Sequence, residues 1–159
     1  MQQQKVKIGG IIQNRDLAKI GVMSIPDRPG VAGAIFGALG ARGINCPFIV
    51  HTIDANGQDS VLLCVDRKSL KSALRALETV KDKVGAREVV YHKGVGVVSV
   101  YGPHFSERSG IAGVMFSALA AADINILAIS TSISSLSCVL DECDIDAGVK
   151  ALQEAFDLP

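Results

Sequence analysis

Apolar residues run in short blocks through the first part of the chain and then change to a helical period. Residues 6–13 (VKIGGIIQ) and 19–25 (KIGVMSI) read as two strands separated by a polar turn, Asn14-Arg15-Asp16. The second strand is apolar on both faces, which predicts a central place in its sheet. It ends in Pro26-Asp27-Arg28-Pro29-Gly30, a run dense in turn formers. Beyond it, Ala32, Ile35, Phe36 and Leu39 fall on one face of a helix, with Gly43 placed as its stop. Residues 44–53 and 60–65 read as strands joined across Asp54-Ala55-Asn56-Gly57, whose Asn-Gly pair is a hairpin signal. Pro47 restricts the first of them to pairing on one side. A helix over 67–84 turns Leu70, Ala73, Leu74 and Leu77 inward and Lys68, Lys71, Arg75 and Glu78 outward, and residues 87–92 (REVVYH) form a closing strand.

The same order then begins again. It runs through a strand at 95–101, a longer loop at 102–109, a helix, and strands at 124–132 and 134–140. A last helix over 145–156 follows an Asp144 cap, with Ile145, Val149, Leu152 and Phe156 inward. Residues 30–49 (GVAGAIFGALGARGINCPFI) and 110–129 (GIAGVMFSALAAADINILAI) are identical at half of their positions, so the chain is a duplicated unit of roughly 70 residues. The expected fold class is α+β, with two ferredoxin-like βαββαβ units. Each would be an antiparallel four-stranded sheet carrying both helices on one face. The second unit is one strand short at its end and the first has one too many. The economical expectation is that residues 6–13 cross over, giving domains at 17–92 and at 5–16 plus 93–159.

Composition narrows the function. The 159 residues are 48% hydrophobic but only 4% aromatic, and the formal net charge is zero, so there is no basic footprint for a nucleic acid partner. The most apolar window, residues 111–129, is interrupted by Asp123 and Asn125, which argues against a membrane span. Residues 1–10 lack the apolar core of a signal peptide, so the expected location is the cytoplasm. Cys46, Cys64, Cys138 and Cys143 make no C-x-x-C pair and no zinc spacing with a histidine, and read as reduced core thiols. His51, His92 and His104 fall in three different elements, and Asp141, Glu142 and Asp144 read as a helix cap. Gly9-Gly10 is followed by neither a helix nor G-K-[ST]. No catalytic residue, metal site or cofactor is expected.

One local feature points to a ligand. Each strand-to-helix loop ends at Gly30 or Gly110, where a helix starts with free backbone N–H groups that suit a carboxylate. Asp27 stands close enough to meet an ammonium. Donors for a carboxylate beside an acceptor for an amine make a minimal receptor for a free amino acid, although Asp27 could equally serve as a helix cap.

These residues resemble a pair of ACT domains, specifically the regulatory region, or separate beta subunit, of aspartate kinases. The resemblance lies in Arg15-Asp16-x-Ala18-Lys19-Ile20, Pro26-Asp27-Arg28-Pro29-Gly30-Val31-Ala32, Gly43-Ile44-Asn45 and Gly85-Ala86-Arg87-Glu88-Val89-Val90. It continues in Phe116-x-Ala118-Leu119, Ile124-Asn125-Ile126, Ile129-Ser130-Thr131-Ser132 and Ser137-Cys138-Val139. It implies a non-catalytic, homodimeric regulator that binds threonine or lysine between the first unit of one chain and the second unit of another. Asp27, Gly30, Val31 and Ala32 would hold the ammonium and carboxylate, with Asn125 and Ile126 closing the site from the partner. His51 stands where the family usually has an effector-contacting Gln. A second, pseudo-equivalent position would comprise Asn45, Cys46, Gly110, Ile111 and Ala112. The implied partners are the amino acid and a kinase catalytic subunit, with a stand-alone amino-acid sensor as the alternative reading.

Overall fold

The computed structural model describes residues 4–103 and 105–159, so His104 lies outside the described residues. In chain order the elements are β1 (Val6–Lys7), β2 (Gly10–Pro26), α1 (Val31–Gly40), β3 (Phe48–Ile53), β4 (Gln58–Asp66), α2 (Leu70–Val84), β5 (Glu88–Tyr101), α3 (Ile111–Ala121), β6 (Ala128–Thr131), β7 (Ser135–Asp141), α4 (Ile145–Ala155) and β8 (Phe156–Asp157). Short 3-10 turns precede α2, α3 and α4. The chain divides into two compact units, Asp16–Gly94 and the chain up to Arg15 together with Val95–Pro159. Both have the ferredoxin-like α+β arrangement.

In Asp16–Gly94 the strand order is β3-β4-β2-β5. The β2–β4 and β3–β4 pairs are antiparallel, and β2 occupies the interior place its two-faced apolarity predicts. Ala18, Ile20 and Val22 of β2 oppose Val65, Leu63 and Val61 of β4, and this face packs under both helices. α1 buries Val31, Ile35 and Leu39, whereas Ala32 is exposed, so the buried stripe begins one residue earlier than the periodicity suggested. α2 buries Leu70, Ala73, Ala76 and Leu77. A register shift between Val22 and Ile25, with Ser24 at φ 54°, inserts one extra residue and returns Ile25 to the buried face.

The second unit repeats the scheme as β2-β5-β7-β6. Gly96, Val98 and Val100 of β5 oppose Leu140, Cys138 and Leu136 of β7 on the face beneath α3 and α4. Here β1 pairs in parallel with β8, Val6 opposite Phe156. Gly43, after α1, has φ 68°; its repeat counterpart Asp123 keeps the same left-handed turn at φ 59°, a conformation short acidic residues tolerate.

Several boundaries differ from the expectation. Asn14-Arg15-Asp16 is strand rather than turn, and residues 88–101 are one strand instead of two. Polar side chains do not stop a strand whose side chains face solvent, and residues 12–16 are exposed. The residues before β3 and β6 are irregular, so those strands start at Phe48 and Ala128. Phe156 leaves the last helix with φ −108° and ψ 157° and becomes the first residue of β8. Asp144 makes no side-chain capping bond; the Asp141 carboxylate accepts from the backbone N–H of Cys143 instead, at 3.1 Å.

Cys64 and Cys138 are buried strand thiols, Cys46 is half-buried, and Cys143 is exposed, outside any core. Burial pushes both Cys64 and Cys138 up to about 12 from an ordinary 9.0, with Lys19 partly offsetting the rise at Cys64. At pH 8 a thiol reagent is therefore expected to reach the exposed Cys143 first, although its contact with Asp141 also pushes that thiol up. It should leave Cys64 and Cys138 untouched until unfolding, as peptide mass mapping would read. Because the folded state holds these two protons more tightly, their contribution to stability is full below about pH 9. It is lost as pH rises through about 12.

Candidate functional site

The loop between β2 and α1 is fixed from two directions. The Asp27 backbone N–H donates to the Gly57 carbonyl at 3.2 Å, tying the loop to the β3–β4 turn. Arg28 donates from its guanidinium to the Lys83 carbonyl near the end of α2. Gly30 then starts α1 with φ 98° and ψ −8°, and no side chain caps the helix. That left-handed conformation is open to glycine and strained for residues with a Cβ. The chain thereby turns into α1 with its first N–H groups unclaimed by a cap, and Asp27 is free of the capping role the sequence allowed it.

Asp27, Gly30, Val31, Ala32 and His51 line one open concavity of about 500 Å³, together with Arg28, Pro29 and Asp59. The structure thus gathers the five members of the first candidate site that lie in Asp16–Gly94. Asn125 and Ile126 follow α3 in the other unit and do not line it. Gly110, Ile111 and Ala112 line a separate concavity of about 330 Å³ with Phe105, Ser106, Arg108, Thr131, Ser132, Ile133 and Leu136. Gly110 has φ 90° and again no side chain caps the helix. Asn45 and Cys46 lie in the loop after α1 and line neither.

The two concavities differ in charge. The second has Arg108 and no carboxylate among its lining residues. The first has two carboxylates, and one of them, Asp59, is a residue the sequence reading passed over. Asp59 is 1% exposed, the second residue of β4, opposite Ile53 on one side and Ile25 on the other. Its Oδ2 lies 3.0 Å from His51 Nε2, whose side chain is 38% exposed. The contact follows from register: His51 opposes Val61, and Asp59 is the diagonal neighbour on the same face, within reach of a long side chain. Among the described residues Asp59 Oδ1 has no hydrogen-bond partner. The sequence did carry a signal for it. Asp59 is in phase with Val61, Leu63 and Val65, an acid on the buried face of a strand of period two.

Chemically the first concavity offers backbone donors and a helix N-terminus for an anion, with carboxylates and an imidazole beside them for a cation or a hydrogen-bond donor. Among the described residues no group of acids, cysteines and histidines is arranged to hold a metal ion. Among the same residues no helix is long and apolar enough to cross a membrane.

Family models described as ACT domain match residues 20–82 and 98–156. An aspartate kinase of Pseudomonas putida is 38% identical over 151 residues, 95% of this chain and 37% of that enzyme. This chain therefore spans little more than a third of that relative's length. The regulatory subunit of aspartate kinase from Thermus thermophilus, crystallised ligand-free, superposes with a TM-score of 0.86 at 29% identity, covering 94% of this chain and 99% of that one. A structure of aspartokinase alpha and beta subunits gives a TM-score of 0.85 at 31% identity over 93% and 97% of the respective chains. With two ACT domains in tandem and a near end-to-end match to a regulatory subunit, this chain belongs to the ACT-domain regulatory family of aspartate kinases.

Proposed function

We propose that this chain is a non-catalytic regulator that binds a small α-amino acid, threonine or lysine, in the concavity between β2 and α1, and controls an aspartate-kinase-type catalytic unit. The observation that carries the reading is the convergence of Asp27, the uncapped helix start at Gly30, Val31 and Ala32, and His51 on one opening. The ligand's carboxylate meets the first N–H groups of α1, where the helix dipole favours negative charge. Its ammonium meets Asp27. The opening is shallow, and in this reading Asn125 and Ile126 of a second copy cover it, so a homodimer is the binding form. Gly110, Ile111 and Ala112, with Asn45 and Cys46 of a second copy, make the corresponding second position, whose lining offers Arg108 but no carboxylate for an ammonium.

Control follows from linkage. A ligand held by two copies favours the dimer geometry in which both halves of its site meet, and it shifts the catalytic unit only as far as its affinities for the two geometries differ. A thermal-shift screen against the twenty amino acids, repeated by sedimentation with each hit, tests the reading. Threonine or lysine is expected to raise the melting temperature and the dimer fraction together. Asp27→Ala is expected to abolish the ligand-induced rise while leaving the ligand-free melting curve in place. An unchanged rise in that variant would remove Asp27 from the site.

A further inference from the structure

We infer that Asp59, held by His51, is the residue that selects the ligand's side chain. The inference rests on the amino-acid reading of the first concavity and adds to it a requirement: the ligand must carry a hydrogen-bond donor on its side chain, a hydroxyl or an ammonium.

The argument starts from a carboxylate that is only half used. Asp59 lines the concavity, its side chain is 2% exposed, and His51 satisfies Oδ2 alone. Oδ1 is buried with no partner. Buried polar atoms are nearly always paired, because one left unpaired forfeits its hydration and gains nothing in return. Asp59 lines the opening, and its orphaned, buried oxygen is therefore an acceptor awaiting a donor. Asp27 and the start of α1 already answer both charged groups of an α-amino acid, so the remaining acceptor faces the only remaining part of such a ligand, its side chain.

The surroundings keep this acceptor specific. Ile25 and Ile53 flank Asp59 on the neighbouring strands, so an apolar ligand side chain would leave Oδ1 unsatisfied in an apolar setting. His51, through its contact with Oδ2, fixes the carboxylate's orientation. The duplicated unit shows what the position looks like without this device. Thr131 opposes Leu136 as His51 opposes Val61, and the residue two before Leu136 is the exposed Ser134. Among the described residues no carboxylate lines that second concavity. The two units thus share the helix start and differ in the acceptor, which separates general amino-acid binding from side-chain selection.

The test uses pairs of probes that match in shape and differ in the donor: threonine against valine, and lysine against norleucine, titrated calorimetrically into the whole chain. At least one donor-bearing member is expected to bind about tenfold or more tightly than its apolar counterpart, the scale of one hydrogen bond to a charged group. In Asp59→Leu that preference is expected to collapse to within about twofold while the apolar member still binds. If Asp59→Leu does not fold, Asp59→Ala, which also removes the acceptor, is read by the same ratio and decides. Equal binding of both members by the unaltered protein, or a preference that survives in the folded variant, overturns the inference and leaves the amino-acid reading standing. Binding of none of the four probes overturns both.

Discussion

Phe156→Ala is expected to cost the protein about 3–5 kcal/mol in urea denaturation, the usual range for deleting a fully buried ring. The ring is 2% exposed and stands first among the largest fully buried side chains of the described residues. It stands at the first residue of β8, opposite Val6 of β1, and shares a core with Ile8, Ile111, Met115 and Leu152. Truncation removes the contacts of the ring and opens a void in a packed core that its neighbours refill only in part. Hydrogen exchange should show the loss in amides of the chain up to Arg15 and of Val95–Pro159 first. A cost below about 1 kcal/mol, with an unchanged dependence on urea, would mean that the ring contributes little to that core.

Gly96→Val is the second change expected to act strongly. A Cβ at this position would lie 2.3 Å from Cδ1 of Ile145 and 3.0 Å from the carbonyl oxygen of Asn14. Ile145 is 2% exposed and opens α4, so its side chain has little space into which to rotate, and the Asn14 oxygen belongs to the neighbouring strand's backbone. Valine adds two methyl groups beyond that Cβ. Overpacking of this kind typically costs 1–3 kcal/mol, and the backbone partner places the expectation at about 3. Gly96→Ala should cost less, since it adds the Cβ alone. A valine variant as stable as the parent would require α4 to sit farther from the sheet than it does here.

Much of this was legible in the chain itself, for identifiable reasons. The duplication, the two helices of each unit and the hairpin at residues 54–57 were marked by self-similarity, a 3.6-residue period and an Asn-Gly pair. Of the seven residues expected to form the first site, Asp27, Gly30, Val31, Ala32 and His51 line one opening, and Asn125 and Ile126 do not line it. What escaped reading were features set by strand pairing. Asn14-Arg15-Asp16 has turn composition, yet its side chains are exposed and its backbone stays in β2, with Asp16 absorbing a φ of 56°. Asp59 escaped because its meaning lies in a diagonal contact to a residue eight positions earlier, which only the β3–β4 register creates. An acid in phase with Val61 and Leu63 was the clue, and a pattern search that scores only apolar positions passes over it.

That register has a gauge. Between β3 and β4 the chain reverses at residues 54–57, where the Asp54 carboxylate accepts from the backbone N–H groups of Asn56 at 2.8 Å and Gln58 at 3.0 Å, and Gly57 takes a φ of 69°. Side chains on a strand alternate sides, so sliding one partner by a single residue would swing the imidazole to the far side of the sheet and leave the acid without its companion. Four residues outside that concavity thus calibrate its chemistry, and substitutions there can retune recognition without altering any group that lines it.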